Sequence, residues 1–96
     1  MHTHIKKKYA KYICESAIDA VSLYQLLQTP GTYISIAGCG KSKTIKNIIA
    51  DHQNVVLAVD NDDAGNNIAK MFSNLKRLIP KNKDWNEDLV ALKNKF

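Results

Sequence analysis

The chain has 96 residues, a length that suits one domain with its own apolar core and is too short for two. Its hydrophobic content of 45% is that of a globular protein, and no apolar run approaches the roughly 18 residues of a membrane span. The N-terminus lacks the apolar core of a signal peptide. We therefore expect a cytoplasmic protein with no membrane partner. Cys14 and Cys39 have neither the number nor the spacing of a disulfide or metal framework, which favours two reduced thiols.

Apolar periodicity predicts strands and helices in alternation along the chain. The first strand is followed by Ser16, a typical helix N-cap, and by a helix in which Tyr24 falls on the spacing of core positions. The sequence Thr29-Pro30-Gly31 ends that helix. The predicted strands cover 11–15, 32–37, 55–59 and 75–79, and the predicted helices cover 16–28, 41–52, 64–72 and 85–95. This order predicts a three-layer α/β domain over 11–96, with a four-stranded, mainly parallel sheet and a basic tail at 1–10.

The third predicted strand ends in a run of acids. Val55 to Val59 are apolar and rich in β-branched residues, as in a strand buried on both faces, and Asp60, Asn61, Asp62 and Asp63 follow at once. Ligands bind at this edge of open α/β sheets, and crowded carboxylates are commonly neutralised by a hard divalent cation. The alternative is local structure alone, with Asp63 as the N-cap of the next helix.

Two further acidic groups fall at strand ends. Glu15 ends the first strand, and Asp19 lies one helical turn later, so both belong to the same edge as Asp60 if the two strands are neighbours. Asp84 follows the fourth strand, together with Glu87 and Asp88. Capping of the last helix is the simpler explanation of this third group.

The net charge of +5 is distributed unevenly, since every acid except Asp51 belongs to one of these acidic segments or lies beside it. The remaining surface is basic, which suits a polyanion held by its phosphates, although a solvated lysine-rich face is an equal alternative. The basic side chains that we expect to contact nucleic acid are Lys41, Lys43, Lys81 and Lys83.

Three ordered motifs resemble the Toprim domain of primases, topoisomerases and related nucleases, and most closely its primase-like branch on mobile elements. They are E-S-A-I-D-A at 15–20, D-N-D-D-A-G at 60–65 and I-P-K-N-K-D-W-N-E-D at 79–88. The resemblance implies a three-layer, Rossmann-like Toprim fold. It also implies Glu15 as general acid/base and a Mg²⁺ site, with Mn²⁺ as an alternative ion. The metal ligands it implies are Asp60, Asp62, Asp19 and Asp84.

The resemblance implies phosphoryl transfer on nucleic acid, with DNA the expected substrate and the choice between nucleotidyl transfer and hydrolysis left open. Primases also need a zinc-binding module, which does not fit in this length, so we expect an excised domain or a module of a larger replication or mobilisation system. The chain departs from the primase pattern at Trp85, in place of proline, and at Asn86, in place of a second aspartate.

Parts of the sequence suggest two other functions. Gly40-Lys41-Ser42 after a strand suggests a P-loop nucleotidase, but the glycine that Walker A requires five residues before Gly40 is Ser35, within an apolar strand. The second alternative is a non-catalytic domain of this fold that binds nucleic acid or docks to a protein through its basic surface.

Overall fold

The computed structural model of the chain describes residues 9–38 and 40–95. Predictions about Cys39 and about residues 1–8 of the basic tail fall outside these residues. Within the described part, no helix combines the length and apolarity needed to cross a membrane. Strands and helices alternate as predicted: β1 Lys11–Cys14, α1 Ala17–Leu27, β2 Thr32–Ser35, α2 Lys41–Asp51, β3 Val55–Leu57, α3 Asp63–Met71, β4 Lys76–Arg77 and α4 Trp85–Lys93.

The four strands form one sheet in the order β2-β1-β3-β4, and every pairing is parallel. Lys11 of β1 is in register with Thr32 of β2 on one side and with Val55 of β3 on the other. The connection after β1 leads to β2 on one side of β1, and the connection after β2 leads to β3 on the other side. The boundary between β1 and β3 is therefore the topological switch point of the sheet. The predicted α/β fold is confirmed, and the condition under which Glu15 and Asp60 share one edge, that β1 and β3 are neighbours, is met.

The helices cover both faces of the sheet. On β1, Ile13 faces the layer of α2 and α3, whereas Cys14 faces the layer of α1 and α4, as the alternation of a strand requires. The first layer buries Ile13, Ile36, Ile45, Val55, Leu57, Val59, Ile68 and Phe72. The second buries Cys14, Ala20, Leu23, Ala58 and Trp85. The Trp85 indole N–H also donates to the Ala58 carbonyl at 2.8 Å, which fixes the start of α4 against the chain that follows β3.

Strand ladders are shorter than the apolar runs that predicted them. The fourth strand, predicted over 75–79, pairs only at Lys76 and Arg77, although the Leu78 N–H still donates to the Leu57 carbonyl at 2.8 Å. The prediction of Tyr24 as a core residue is wrong, since Tyr24 is 53% exposed. Its ring instead lies edge-on to Tyr33, with centroids 5.3 Å apart.

Candidate functional site

Glu15 lies directly after β1 and is only 9% exposed. Each of its carboxylate oxygens has a partner. Oε2 accepts a 2.8 Å hydrogen bond from the backbone N–H of Asp60, and Oε1 forms a 2.8 Å ion pair with Nζ of Lys41, the first residue of α2. The glutamate is therefore held between the ends of β1 and β3, at the switch point of the sheet.

Glu15, Asp60 and Asp62 form one carboxylate cluster. Each offers an oxygen atom that lies within 4.8 Å of the others. The three residues come from the segments after β1 and β3, which are adjacent parallel strands, so their carboxyl ends meet at one edge. The predicted convergence of these acids is what the fold produces.

Asp60 has an acceptor atom without a donor. Its Oδ1 is buried and makes no hydrogen bond to any other described residue. Burial, followed by the charges of Glu15 and Asp19 and the other nearby acids, raises the pKa of Asp60 from 3.8 to about 7. A hard divalent cation would supply the missing partner and relieve the repulsion, because Mg²⁺ prefers carboxylate oxygens. The carboxylate oxygens of the cluster are thus suitable ligands for such an ion.

Arg77 of β4 and Gly65 of α3 both lie against the backbone of Asp60. The Arg77 guanidinium donates from Nη2 to the Asp60 carbonyl at 3.0 Å, while the Nε of Arg77 is buried with no partner among the described residues. A Cβ on Gly65 would come within 2.0 Å of the same carbonyl oxygen, so only glycine fits there. The family motif includes Gly65, so its position in the sequence was visible, but the reach of Arg77 from β4 was not.

Asp62 has a local role besides its place in the cluster. Its Oδ1 accepts the Gly65 N–H at 2.8 Å and caps α3, whose first helical residue is Asp63. The proposed capping by Asp63 is therefore wrong by one position, because Asp62 has the extended backbone of an N-cap. One oxygen of Asp62 serves the helix while the residue remains within reach of Glu15 and Asp60.

Asp19 and Asp84 lie outside the group of three. Asp19 is 4% exposed; its Oδ2 accepts the Ser16 hydroxyl at 2.8 Å and its Oδ1 accepts the Asn86 N–H at 3.2 Å. Asp84 caps α4 by accepting the Glu87 N–H at 2.8 Å. Both carboxylates are close enough to raise the pKa of Asp60. Their expected roles as metal ligands stay predictions.

The four predicted nucleic-acid lysines fall in two places. Lys41 is in the acid cluster, and Lys43 is exposed nearby on α2. Lys81 and Lys83 are exposed in the segment between β4 and α4. The Lys83 carbonyl accepts the Asn61 N–H at 2.7 Å, so this segment is attached to the acidic loop, residues 60–62. Contact of these lysines with nucleic acid stays a prediction.

The segment that carries Lys81 is organised by Asp88 of α4. The two oxygens of Asp88 accept the backbone N–H groups of Lys81 and Asn82 at 2.8 Å and 2.7 Å. A groove of about 560 Å³ lies beside it, lined by residues from the end of α1, from the segment between β4 and α4, including Leu78, and from α4, including Trp85. None of the three clustered acids lines this groove, so the candidate site and the groove are separate features.

Comparison with known proteins agrees with the fold described above. The structure is similar to that of the primase fragment of the bacteriophage T7 primase-helicase protein, with a TM-score of 0.68 and 19% sequence identity. The match covers 94% of this chain and 42% of that one, so the chain spans about two fifths of the fragment's length. A search of curated proteins finds no match. Residues 12–89 match the family model described as Toprim-like, and the chain belongs to this family.

Proposed function

We propose that this chain is a Mg²⁺-dependent phosphoryl-transfer domain that acts on nucleic acid, with DNA as the expected substrate. The observation that carries the proposal is the buried, unpartnered Oδ1 of Asp60 within a cluster of three carboxylates at the switch point of the sheet. Family membership and the likeness in fold to a primase fragment support a nucleic-acid substrate. The proposal includes a single domain over 11–96, a basic tail at 1–10 and a cytoplasmic location.

In this proposal Asp60 and Asp62 hold the cation directly, and Mn²⁺ can replace Mg²⁺. Asp19 and Asp84 contribute through water, since each already accepts hydrogen bonds from the protein. The cation, when bound, neutralises negative charge that develops on the phosphate oxygens during phosphoryl transfer. The pKa of Asp60 near 7 means that proton and cation compete for the same carboxylate at neutral pH.

Glu15 is the proposed general acid/base. In hydrolysis, a water oxygen bonds to phosphorus as the bond from phosphorus to a sugar oxygen breaks; Glu15 takes the proton that the water loses, and the leaving sugar oxygen takes a proton from solvent. In nucleotidyl transfer, a sugar hydroxyl attacks instead and pyrophosphate leaves. The hydrogen bond from Asp60 N–H to Oε2 fixes the carboxylate in place, which is what a positioned proton acceptor requires.

The basic side chains hold the polyanion in this scheme. Lys41 and Lys43 lie at the start of α2, and Lys81 and Lys83 lie on the segment attached to the acidic loop. Lysine ammonium groups release counterions when they neutralise phosphates, so binding should weaken as salt rises. Further domains or proteins of a replication or mobilisation system supply template binding, since the chain matches only part of the T7 fragment.

The experiment is a product assay run beside a binding assay. Labelled single- and double-stranded DNA and RNA are incubated with the protein in Mg²⁺ or in chelator, with and without nucleotides. We expect cleavage or primer synthesis in Mg²⁺ only, lost in Asp60→Asn and retained in Asp51→Asn, which removes an exposed charge at the far end of α2. Products that form equally in chelator would overturn the proposal.

A second candidate is a non-catalytic nucleic-acid-binding or docking domain, and one observation favours it. Asn86 replaces the second aspartate of primases. Its side-chain Oδ1 accepts the Ser22 hydroxyl at 3.4 Å, and its backbone N–H donates to Asp19. This position therefore joins α4 to α1 and adds no carboxylate to the cluster. Oligonucleotide binding without product under any ionic condition would support this candidate.

A further inference from the structure

We propose that Lys41 is an exchangeable counter-ion: its ammonium pairs with Glu15 before a divalent cation binds and moves to a substrate phosphate afterwards. The proposal rests on the proposed function, because it requires a cation at the carboxylate cluster. It assigns to one lysine a role that the other basic side chains of the described chain do not share.

The position of Lys41 allows this exchange. Lys41 is the first residue of α2, and its Nζ lies 2.8 Å from Glu15 Oε1. Its side chain is 34% exposed, whereas the side chain of Glu15 is 8% exposed. The ion pair thus has a buried acid and a base that reaches it from the solvent side, so the ammonium can leave without the glutamate moving.

The charge of Lys41 acts on the whole cluster. The hydrogen bond from Lys41 to Glu15 is the main cause that raises the pKa of Lys41, and the charges of Glu15, Asp60 and Asp62 raise it further. Asp60 and Asp62 are the two acids proposed to hold the cation. Lys41 therefore forms an ion pair with one acid of the cluster and is close enough to interact electrostatically with the other two.

A divalent cation held by Asp60 and Asp62 would lie close to the ammonium that pairs with Glu15, because the three carboxylates belong to one cluster. Two positive charges this close repel each other strongly at the low effective dielectric of a partly buried site. Lysine has a long and flexible stem, so repulsion is relieved by rotation of the side chain. A phosphate of the bound nucleic acid is then the anion within reach that the protein does not already hold.

The neighbouring cations are not equivalent. Arg77 is partly buried and donates to the Asp60 carbonyl, which fixes its guanidinium to the backbone. Lys46 lies further along α2, is exposed and makes no ion pair with any described residue. Lys46→Met is therefore a matched control for Lys41→Met, because both substitutions remove one charge from the same helix.

The test measures Mg²⁺ affinity and oligonucleotide affinity separately. Mg²⁺ is titrated calorimetrically into the wild-type full chain, Lys41→Met, Lys41→Arg and Lys46→Met without nucleic acid. We expect Lys41→Met to bind Mg²⁺ several-fold more tightly, because the competing ammonium is gone, and Lys46→Met to match wild type. Circular dichroism melting checks that each variant is folded, and Lys41→Gln replaces Lys41→Met if the latter fails to fold.

Oligonucleotide binding is then measured in Mg²⁺ and in chelator. We expect Lys41→Met to lose about tenfold in affinity in Mg²⁺, the effect of one charged hydrogen bond, and to resemble wild type in chelator. Lys41→Arg should retain most of the Mg²⁺-dependent affinity. Lys46→Met should lose the same small amount under both conditions.

Two results would overturn the inference alone. The first is Mg²⁺ affinity in Lys41→Met that is unchanged or weaker than in wild type, and the second is an equal loss of oligonucleotide affinity with and without Mg²⁺. Absence of Mg²⁺ binding by the wild-type chain would overturn the proposed function as well. The wild-type titration therefore separates the two failures.

Discussion

The backbone N–H of Asp60 donates a 2.8 Å hydrogen bond to Oε2 of Glu15, across 45 positions of sequence. This bond joins the end of β1 to the end of β3, and it places the proposed proton-transfer residue against the proposed metal ligand. A change at either residue is therefore expected to affect the other.

Replacement of Glu15 by glutamine keeps the size of the side chain and an oxygen that can accept the Asp60 N–H. It removes the ability to take a proton. We expect turnover to fall by about 10²–10⁴-fold, while substrate affinity changes little. The measurement is the initial rate on the substrate that the product assay identifies, over a range of Mg²⁺ concentrations.

Asp51→Asn, which removes a charge far from the cluster, is the control for Glu15→Gln and should retain the wild-type rate. If Glu15 served only to hold the cation, activity would recover at high Mg²⁺. Full rescue would thus eliminate the acid/base role, and a wild-type rate without rescue would remove Glu15 from the site.

The raised pKa of Asp60 gives the metal-free protein a distinctive pH dependence. Between the unfolded pKa of 3.8 and the folded pKa of about 7, the folded state binds more protons than the unfolded state. Stability should therefore fall as pH rises through this window, by about 1–2 kcal/mol once solvent screening of a partly exposed group is allowed for. Thermal melting in chelator across the window measures the effect.

Two comparisons make this pH prediction specific. Asp60→Asn has no carboxylate to titrate and should lack the decline. Mg²⁺ should restore stability to the wild type at the alkaline end, where the carboxylate is ionised and binds cations best. The raised pKa of Lys41 matters only near its ordinary value of 10.5 and above, so it does not enter this window. Equal pH profiles in wild type and Asp60→Asn would contradict the prediction.

Gly65→Ala tests the close packing of α3 on the acidic loop. A Cβ at this position would lie 2.0 Å from the Asp60 carbonyl oxygen. The atoms that it would meet belong to the backbone of Asp60, which cannot shift without a large energetic cost. We expect a loss of about 1–3 kcal/mol in the free energy of unfolding, as for other overpacked sites, measured by urea denaturation. Ala64→Gly, in the same turn but exposed, should cost about 1 kcal/mol or less. Similar small costs for both variants would refute the packing argument.

Arg77→Met tests whether Arg77 positions Asp60. Loss of the 3.0 Å hydrogen bond to the Asp60 carbonyl frees that peptide, so we expect Mg²⁺ affinity to fall several-fold. Arg77→Lys should recover part of the affinity, whereas Met at the exposed neighbour Lys76 should leave it unchanged. Calorimetry on the folded variants gives the values. A drop in melting temperature with unaltered Mg²⁺ affinity would assign Arg77 a purely structural role.

The fold was predictable from periodicity along the chain, and the meeting of the acids from their placement at strand ends together with the resemblance of their motifs to the Toprim family. The apolar run before Asp60 and the strand before Glu15 end at the same edge once the strands are parallel neighbours, and the sheet has them so. The helix after Ser16 begins where its N-cap predicts. These signals are local in the sequence. The rules of parallel α/β topology then place the residues at the strand ends close together in space.

The remaining features depend on contacts between distant elements. Nothing around Arg77 or Lys41 indicates that the first would reach the Asp60 carbonyl and the second would pair with Glu15. Tyr24 has the spacing of a core residue, but its side chain is about half exposed and its ring lies edge-on to Tyr33. The cap of α3 falls on Asp62 rather than Asp63 because backbone conformation, not residue type, distinguishes adjacent aspartates.

The most direct test of the proposed Mg²⁺ site is a Mg²⁺ titration of the wild-type chain beside Asp60→Asn and Asp62→Asn. The titration is run at about pH 8 so that Asp60 is ionised. Asparagine caps helices as well as aspartate does, so Asp62→Asn should keep α3 intact while losing a charge. The account predicts Mg²⁺ binding by wild type, strengthened by an oligonucleotide, and a loss of about tenfold or more in either variant. No response to Mg²⁺ in wild type, with or without the oligonucleotide, would contradict it.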